Sequence, residues 1–521
     1  MPVHYNDGLD DQLAYDLSGS FIGGQISNVR ANLLKEGQFH EAKNMDIDKF
    51  GAISTRRGTS IVGSTLTNPI KGLTFFDTPS YEEILTVSNG VLYKSTGSTF
   101  SSVSGYTPSA SNNVEFAQLV DKMFMTDGSG NLHSYNGSVV TDEGSSIPRG
   151  KFLISHTNRL FSANNTHNTH SYDDEVAASD ILDGTTWGTG FQFRVGGGEG
   201  DPITGIVSWY NFNLVVFKER SIHVVVTDPS QSSASGWAVN RIDNTVGCVA
   251  GRTIAQAGSD VFFLARDGIR TVRTILSGAQ SSVSEPISTP IDDLIQRINW
   301  GYAKNSCAKF WNNRYILSVP LDSSTAPDYT IVFNTVTRSW SGYWTGWTNN
   351  VYAESNFTNY PKLIMGDNSG NVLTWLDYVS DSSLSSSTYQ DNSVDIESFL
   401  ISRGHVYGDF LSPKLGNHLD IEFENSIAGC HCAEVFATLD EEAGATDVLI
   451  ENNIPTQTSS VTLPVTLPFT LPAVGPFSRS FSLSTKGEFN EARFKIKASS
   501  GRLLVRSIKT SAFMNTMALE R

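Results

Sequence analysis

Charge is what this sequence has least of. Only 17% of its 521 residues are Asp, Glu, Lys or Arg, against about 25% in an ordinary soluble domain. The basic residues are the scarcer kind, 37 against 53 acids, for a net charge of −16. Its densest basic spots are pairs such as Arg56–Arg57, and no basic stripe exists to neutralise phosphates. That excludes tight nucleic-acid binding but not double-stranded DNA passing nearby without adhering. Cysteine is nearly absent too: four residues make no disulfide framework. Cys248 and Cys307 stand alone. Cys430-His431-Cys432 lacks the second pair of ligands a zinc site needs, so free thiols in a reducing compartment are expected, with no metal and no other cofactor. No apolar run approaches the ~20 residues that span a bilayer, which predicts no stable membrane insertion. The opening MPVHYNDGLDDQLAYD has neither the basic start nor the apolar core of a secretion signal.

What replaces charge is Ser, Thr, Asn and Gly, with 44 glycines and 29 phenylalanines. That mixture suits short strands and tight turns rather than long helices. From residue 70 onward one unit keeps returning, an apolar strand followed by a hairpin. The hairpin turns fall at Asn89-Gly90, Gly128–Gly130, Asn164–Asn168, Lys218–Arg220, Asp267-Gly268, Asn334–Thr337 and Ser369-Gly370. Asn-Gly and Asp-Gly between alternating apolar residues are strong hairpin signals, because both central positions need positive φ. Each hairpin has a strand before it: GLTFF, VEFAQLV, GKFLIS, ITGIVSW, RTIAQAG, SCAKFW and NVYAESNF. The spacing centres near that of propeller blades. The fold class is therefore mostly β: a six- or seven-bladed β-propeller over residues 70–378, closed by a strand from the partly extended segment 1–69.

Two stretches repeat almost word for word, MTDGSGNLHSY (Met125–Tyr135) and MGDNSGNVLTW (Met365–Trp375). As calcium loops they lack the acid twelve positions after the first Asp, where Ser138 and Tyr378 stand. As hairpins, Asp127 and Asp367 can cap backbone N–H groups. The hairpin reading is preferred. A sialidase-type turn motif fits DNSGNVLTW only at wider spacing, and a glycosidase needs two carboxylates facing one pocket; the adjacent pairs Asp173-Asp174 and Asp292-Asp293 read instead as turn and cap residues. RVGGGEGDPITG, with Gly196–Gly198 and Gly200, lacks the Lys-Ser/Thr ending of a phosphate cradle and reads as an inter-blade loop. His167 and His170 read as solvated turn residues. SWSGYWTGW (Ser339–Trp347) is the one aromatic cluster a glycan-binding module would need, although inter-blade core explains it as well.

Residues 379–392, VSDSSLSSSTYQDN, form a Ser-rich linker. Beyond it, residues 393–521 alternate like half-buried strands and are read as a β-sandwich. Its halves are separated by an apolar Pro-rich arm, 455–477, in which proline forbids helix and central strand. An exposed apolar arm of this length is a candidate for docking on a neighbouring subunit, through Leu463, Pro464, Leu467, Pro468, Phe469, Leu471 and Pro472.

The stretch GGQISNVRANLLKEGQFHEAKNMDIDKFGAISTRRGTS resembles the opening of the tail hub or nozzle proteins (tail tubular, DNA-stabilisation type) of short-tailed bacteriophages. Asn44-Met45, Gly51 and Arg56-Arg57-Gly58 occupy the places of that family's opening motif, without its proline. The likeness continues through RLFSANN, TTWGTGFQFRVGGGEGDPITGIVSWYNFNLVVFKERSIHVV and FFLARDGIRTV. It ends in SPKLGNHLDIEFE and FNEARFKIKASSGRLLVRSIKTSAF, so the order of the pieces carries it. The resemblance implies a structural virion protein of the tail, not an enzyme, assembled in the host bacterial cytoplasm. It implies a homo-oligomeric ring, commonly a hexamer, around a channel for genome retention and ejection. Partners would be adaptor and portal-side head-to-tail proteins on one side and fibre, spike or needle proteins on the other. Arg56 and Arg57 are then candidates for an interface at the N-terminal end. The acidic balance suits a wall along which DNA slides. The competing reading is a propeller that degrades or binds glycans.

Overall fold

The computed structural model describes residues 13–166, 171–275, 280–357, 360–408, 410–424, 433–440, 447–454 and 476–514. The chain divides into two units. One is a β-propeller made of Ile61–Thr330 and Gly346–Trp375; the other collects Met1–Ser60, Ile331–Thr345 and Leu376–Arg521.

In the propeller unit, all seven strands expected to precede hairpins are inner strands: Ile70–Thr78, Glu115–Leu119, Arg149–His156, Ile203–Ser208, Ala255–Ala257, Cys307–Trp311 and Asn349–Ser355. The first five each open a four-stranded antiparallel sheet. The sixth pairs with Arg314–Val319, after which Tyr329–Asn334 carries the chain out of this unit at Ile331. The last pairs with Lys362–Asp367, which in turn pairs with Val372–Trp375. Local chemistry explains the hairpins. At Asn89-Gly90 φ is 49° and 73°, the pair of positive values a two-residue turn requires. Asn164 departs from the sequence reading: it is not in the turn but inside the strand Arg159–Thr166, with φ of 57° at a register shift between Ala163 and Asn165. An Asn tolerates the left-handed conformation that a bulge demands.

Apolar residues of facing sheets interlock around the ring. Leu85, Val87, Met123 and Met125 join the first two blades, and Phe161, Val176, Leu214 and Val216 the third and fourth. The ring closes on residues 61–66: Val62 N–H donates to Val372 O at 2.7 Å, Leu66 N–H to Gly370 O at 2.8 Å, and Thr65 Oγ1 to Asn371 Oδ1 at 2.8 Å. Leu66, Ile70, Leu73 and Ile84 then pack with Val351, Ile364 and Val372.

Among the described residues, the other unit holds two large sheets. In one, Leu504–Met514 lies between Lys414–Glu424 and the N-terminal strands Leu13–Ser18 and Ile53–Thr55. In the other, Ser398–Ser402 lies between Gln38–Lys43 and Ala492–Ala498, which pairs onward with Ala433–Leu439. Buried Ile421, Phe423 and Ile508 of the first share one core with Phe39, Val435 and Ile496 of the second. Residues 393–521 are thus not self-contained, because both sheets take strands from the first 60 residues. The expected linker 379–392 is also packed: Thr388 and Tyr389 are buried, and Gly58 N–H donates to Thr388 O at 2.7 Å. Ser385 and Thr388 form a reciprocal capping box there, so serine acts as local hydrogen-bonding punctuation rather than as flexible spacer.

Gly370 has φ of 87°, and a Cβ there would sit 1.5 Å from Leu66 O. Gly370→Ala is expected to destabilise the propeller by roughly 2–4 kcal/mol, through left-handed strain and a displaced closing strand. Urea unfolding followed by Trp fluorescence measures it; a midpoint equal to wild type would show that closure does not depend on this contact.

Candidate functional site: a braced propeller axis

Six of the inner strands and the residues just before the fifth line an axial cavity of about 460 Å³, room for on the order of fifteen waters. Its charged lining groups are Glu115, Arg252, Lys309 and Glu354. Arg252, on the Gly251–Thr253 turn that leads into the fifth inner strand, reaches across to the other side of the ring. Its Nε donates to Glu115 Oε1 at 2.9 Å, and Nη2 donates to Lys71 O at 2.9 Å and Val114 O at 3.0 Å. Nη1 reaches Asn350 O at 3.4 Å. One guanidinium therefore ties the fifth blade to the first, the second and the closing sheet. Burial, then the neighbouring guanidinium, pushes the Lys71 ammonium below its ordinary value. Burial does the same to Lys309, against which Glu354 pulls upward. Each carboxylate in the cavity thus has a cation as its electrostatic companion rather than the other carboxylate. That arrangement suits bracing better than glycoside hydrolysis, which uses two carboxyl groups flanking one bond.

The Gly-rich loop resolves in the same way. It connects Gln192–Arg194 to Ile203–Ser208, as an inter-blade loop, and Lys218 fills it. Lys218 is 0% exposed; its Nζ donates to Val195 O at 3.1 Å and Gly196 O at 3.3 Å, and Glu199 Oε2 lies 3.6 Å away. Carbonyls converge on a cation here, whereas a phosphate cradle converges N–H groups on an anion.

Both copies of the repeated motif are turns. Asp127 Oδ1 accepts from Ser129 N–H and Gly130 N–H, each at 2.9 Å, and Oδ2 from Ser109 N–H at 2.7 Å. Asp367 Oδ1 accepts from Ser369 N–H at 2.8 Å and Asn371 N–H at 2.7 Å. Among the described residues no group of three His, Cys, Asp or Glu side chains is placed to hold a metal ion. Asp173-Asp174 is not a turn: it lies in the strand Ser171–Ala178, where Asp174 accepts a two-pronged bond from Arg194 at 2.7 Å on each arm. Asp292 and Asp293 do open a short helix, where carboxylates oppose the positive end of the helix dipole. Burial raises the thiols of Cys248 and Cys307 to about 12, which makes both inert at neutral pH.

Arg56, expected at an interface, is instead a core residue. It is 1% exposed and all five of its N–H groups are used. Nε donates to Asn44 Oδ1 at 3.2 Å; Nη1 donates to Arg57 O at 3.1 Å and Asp391 Oδ1 at 3.0 Å; Nη2 donates to Thr345 O at 2.7 Å and also to Asp391 Oδ2. Arg57 pairs with Asp381 at 2.8 Å and donates to Val379 O. Sequence reasoning missed Asp391 because it sits in the Ser-rich stretch, where no periodicity marks a buried position. It missed Arg252 because an arginine before a short strand has no local signature. The aromatic cluster is core: Trp340, Tyr343, Trp344 and Trp347 are buried, and Trp344 Nε1 donates to Met45 O at 2.8 Å. The seven arm residues Leu463, Pro464, Leu467, Pro468, Phe469, Leu471 and Pro472 lie outside the described residues, as do Cys430–Cys432, His167 and His170.

Arg252→Ala is expected to cost roughly 2–4 kcal/mol of propeller stability, since it strands Glu115 and three carbonyls. Arg252→Lys should recover less than half, because an ammonium cannot span four acceptors on opposite sides; full rescue by lysine in urea titrations would reduce the brace to simple charge. A second prediction concerns Asp127. Burial raises its carboxyl, but hydrogen bonds from Gly130, Ser109 and Ser129 win, leaving it below its ordinary 3.8. Its contribution is therefore fully present above that value and lost as pH falls through the lower folded one. Asp127→Asn should remove that part of the acid-induced loss of stability, measured as the difference between the two proteins' thermal midpoints from pH 5 down to pH 2.

No protein-family description and no curated protein matches the chain. Solved structures do. The chain is similar to the computationally designed Ika8 protein (14% identity, TM-score 0.36, covering 61% of this chain and 99% of that one). It is also similar to the β-propeller domain of Myceliophteria thermophila Cps50 (Swd1), at 11% identity and TM-score 0.42, with 61% and 99% covered. U3-55K is a third, at 12% and 0.38, with 60% and 97% covered. At such identities the likeness concerns fold alone, and the chain's own sheets make it a mostly β protein built on a β-propeller.

Proposed function

We propose that this chain is a structural protein of a short-tailed bacteriophage virion, the hub or nozzle of its tail. It works as a homo-oligomeric ring, a hexamer, retaining the genome until ejection. Adaptor and portal-side proteins contact one side and fibre, spike or needle proteins the other, in the virion tail after assembly in the bacterial cytoplasm. The observation that carries the reading is where the family-like segments meet. The resemblance runs through most of the chain, and its first and last segments lie in one compact unit. Ile53 pairs with Val505 and Ser54 with Leu504, while Lys414–Glu424 lies on the other side of the same strand. Segments that resemble one family in order also complete each other's sheets here, which supports reading them together.

The braced axis adds a constraint. A 460 Å³ cavity crossed by Arg252 is no duct for double-stranded DNA, so in this reading the genome channel runs between copies of the chain. The glycan-directed alternative loses its aromatic patch, since the cluster Ser339–Trp347 is buried. Native mass spectrometry with negative-stain imaging tests the proposal. The expected result is a six-membered ring with an axial hole, formed alone or on adding head-to-tail proteins. A chain that stays monomeric in every such mixture sinks it.

A further inference from the structure

The axial cavity holds one reactive group that the brace does not use. Arg252 and Glu115 satisfy each other at one level of the ring, where Arg252 also meets Asn350 O. Glu354 stands four residues along that same strand, roughly 13 Å further at about 3.3 Å per residue. Lys309 is the companion of Glu354, whose charge acts on it, and not of Arg252. It lines the cavity and is half-buried, yet among the described residues its Nζ forms no hydrogen bond and no close ion pair. Unlike Arg159 Nε, which is sealed in protein, the Lys309 Nζ keeps accessible surface. The rest of the lining does not compete with it. Cys307 Sγ donates to Asn349 O at 3.3 Å, and Tyr352 Oη is bonded to Ser318 Oγ at 2.6 Å. Beyond a hydroxyl from Thr74, the remaining lining residues are glycine or apolar, with Leu73, Phe75, Phe116, Phe152 and Ile154 the largest.

An amine in such surroundings has a specific chemistry. Burial disfavours the ammonium and pushes Lys309 below its ordinary value, and Glu354 offsets this only in part. The free amine is a nucleophile toward carbonyl carbon, and desolvation in an apolar pocket is one way a protein activates it. We infer that Lys309 is a carbonyl-capturing residue and that the axial cavity takes up a neutral aldehyde with an apolar body. The amine lone pair forms a C–N bond while the carbonyl π pair moves to oxygen. Both amine protons then leave with that oxygen as water and an imine remains; nothing is oxidised or reduced. Charge selects a neutral ligand. With Lys309 uncharged, Glu115 and Glu354 outnumber Arg252, which disfavours a carbonyl compound carrying its own carboxylate. The apolar side chains favour an aryl or alkyl body. The site is independent of the ring-forming role proposed above.

Reductive trapping on the full chain tests this. Benzaldehyde and glyoxylate are supplied separately, each with cyanoborohydride, which adds hydride to the imine and fixes the label. Peptide mass spectrometry then compares Lys309 with the exposed lysines Lys35, Lys49 and Lys151. At neutral pH benzaldehyde is expected to label Lys309 about tenfold faster than any of the three, and glyoxylate to lose that preference. The Lys309 rate should stop rising with pH below the ordinary lysine value of 10.5. In concentrated urea the preference should vanish, since the cavity is then gone. Equal labelling of Lys309 and the exposed lysines in the folded chain, or an equal preference with glyoxylate, overturns the proposal. So does a preference that survives urea, which would belong to the local sequence and not to the cavity.

Discussion

The propeller depends on one junction, where residues 61–66 run along Val372–Trp375. Every other sheet contact in the ring is between segments close in sequence; this one joins positions some 300 residues apart. Until it forms, the first blade and the last sheet each expose an apolar face and an unpaired edge. Leu66 N–H on Gly370 O, and Val62 N–H on Val372 O, satisfy that edge, and the cluster around Ile70 and Ile364 buries the faces. The loop-closure entropy of so long a span grows only slowly with length, so a few backbone bonds and one apolar cluster suffice to offset it. This explains why the two copies of the repeated motif are not equivalent. A Cβ at Gly128 would meet Lys151 Cγ at 2.8 Å, whereas one at Gly370 would sit 1.5 Å from the Leu66 carbonyl of the closing strand.

Arg252 acts on the same ring from inside. Closure at the rim leaves the blades free to splay at the axis, and a guanidinium bonded across it opposes that. The brace takes its geometry from three carbonyls as much as from Glu115, so its role is positional. Buried ion pairs are weak sources of net stability, but they reject arrangements in which a partner is missing. Lys218 plays a comparable part in the loop before the fourth blade, holding two carbonyls.

Much of this was legible in the sequence, and the reason is periodicity. All seven inner strands followed from apolar alternation, and three of the turns from Asn-Gly, Asp-Gly or Gly-Ser-Gly, signals that act over a few residues. The closing strand was foreseeable from ring topology alone, since a propeller without it has an open edge. What escaped was non-local. Arg56 looked like a surface charge because a charged residue usually is one, and nothing near it announces Asp391, 335 residues away. The second unit was read as C-terminal because its alternation there is clean. Two of its N-terminal strands, Met45–Ile47 and Ile53–Thr55, are only three residues long, too short for a period to show.

The scarcity of charge bears on why these few internal ions exist. Arg56 satisfies Thr345 O, Arg57 O and Asn44 Oδ1 besides Asp391. An apolar residue of similar volume could replace an ion pair at little cost, but it could not replace a donor to three further oxygens from separate segments. The arginine is thus a common side-chain partner of the segments around Asn44, Thr345 and Asp391. Asp391 then has two tasks, neutralising the guanidinium and accepting from Thr59 Oγ1 at 3.2 Å, which ties in the residue that leads to the closing strand. At Arg56 and Arg252 the ion sits where separate stretches of backbone converge, and a donor with five hydrogens can satisfy several of their oxygens at once.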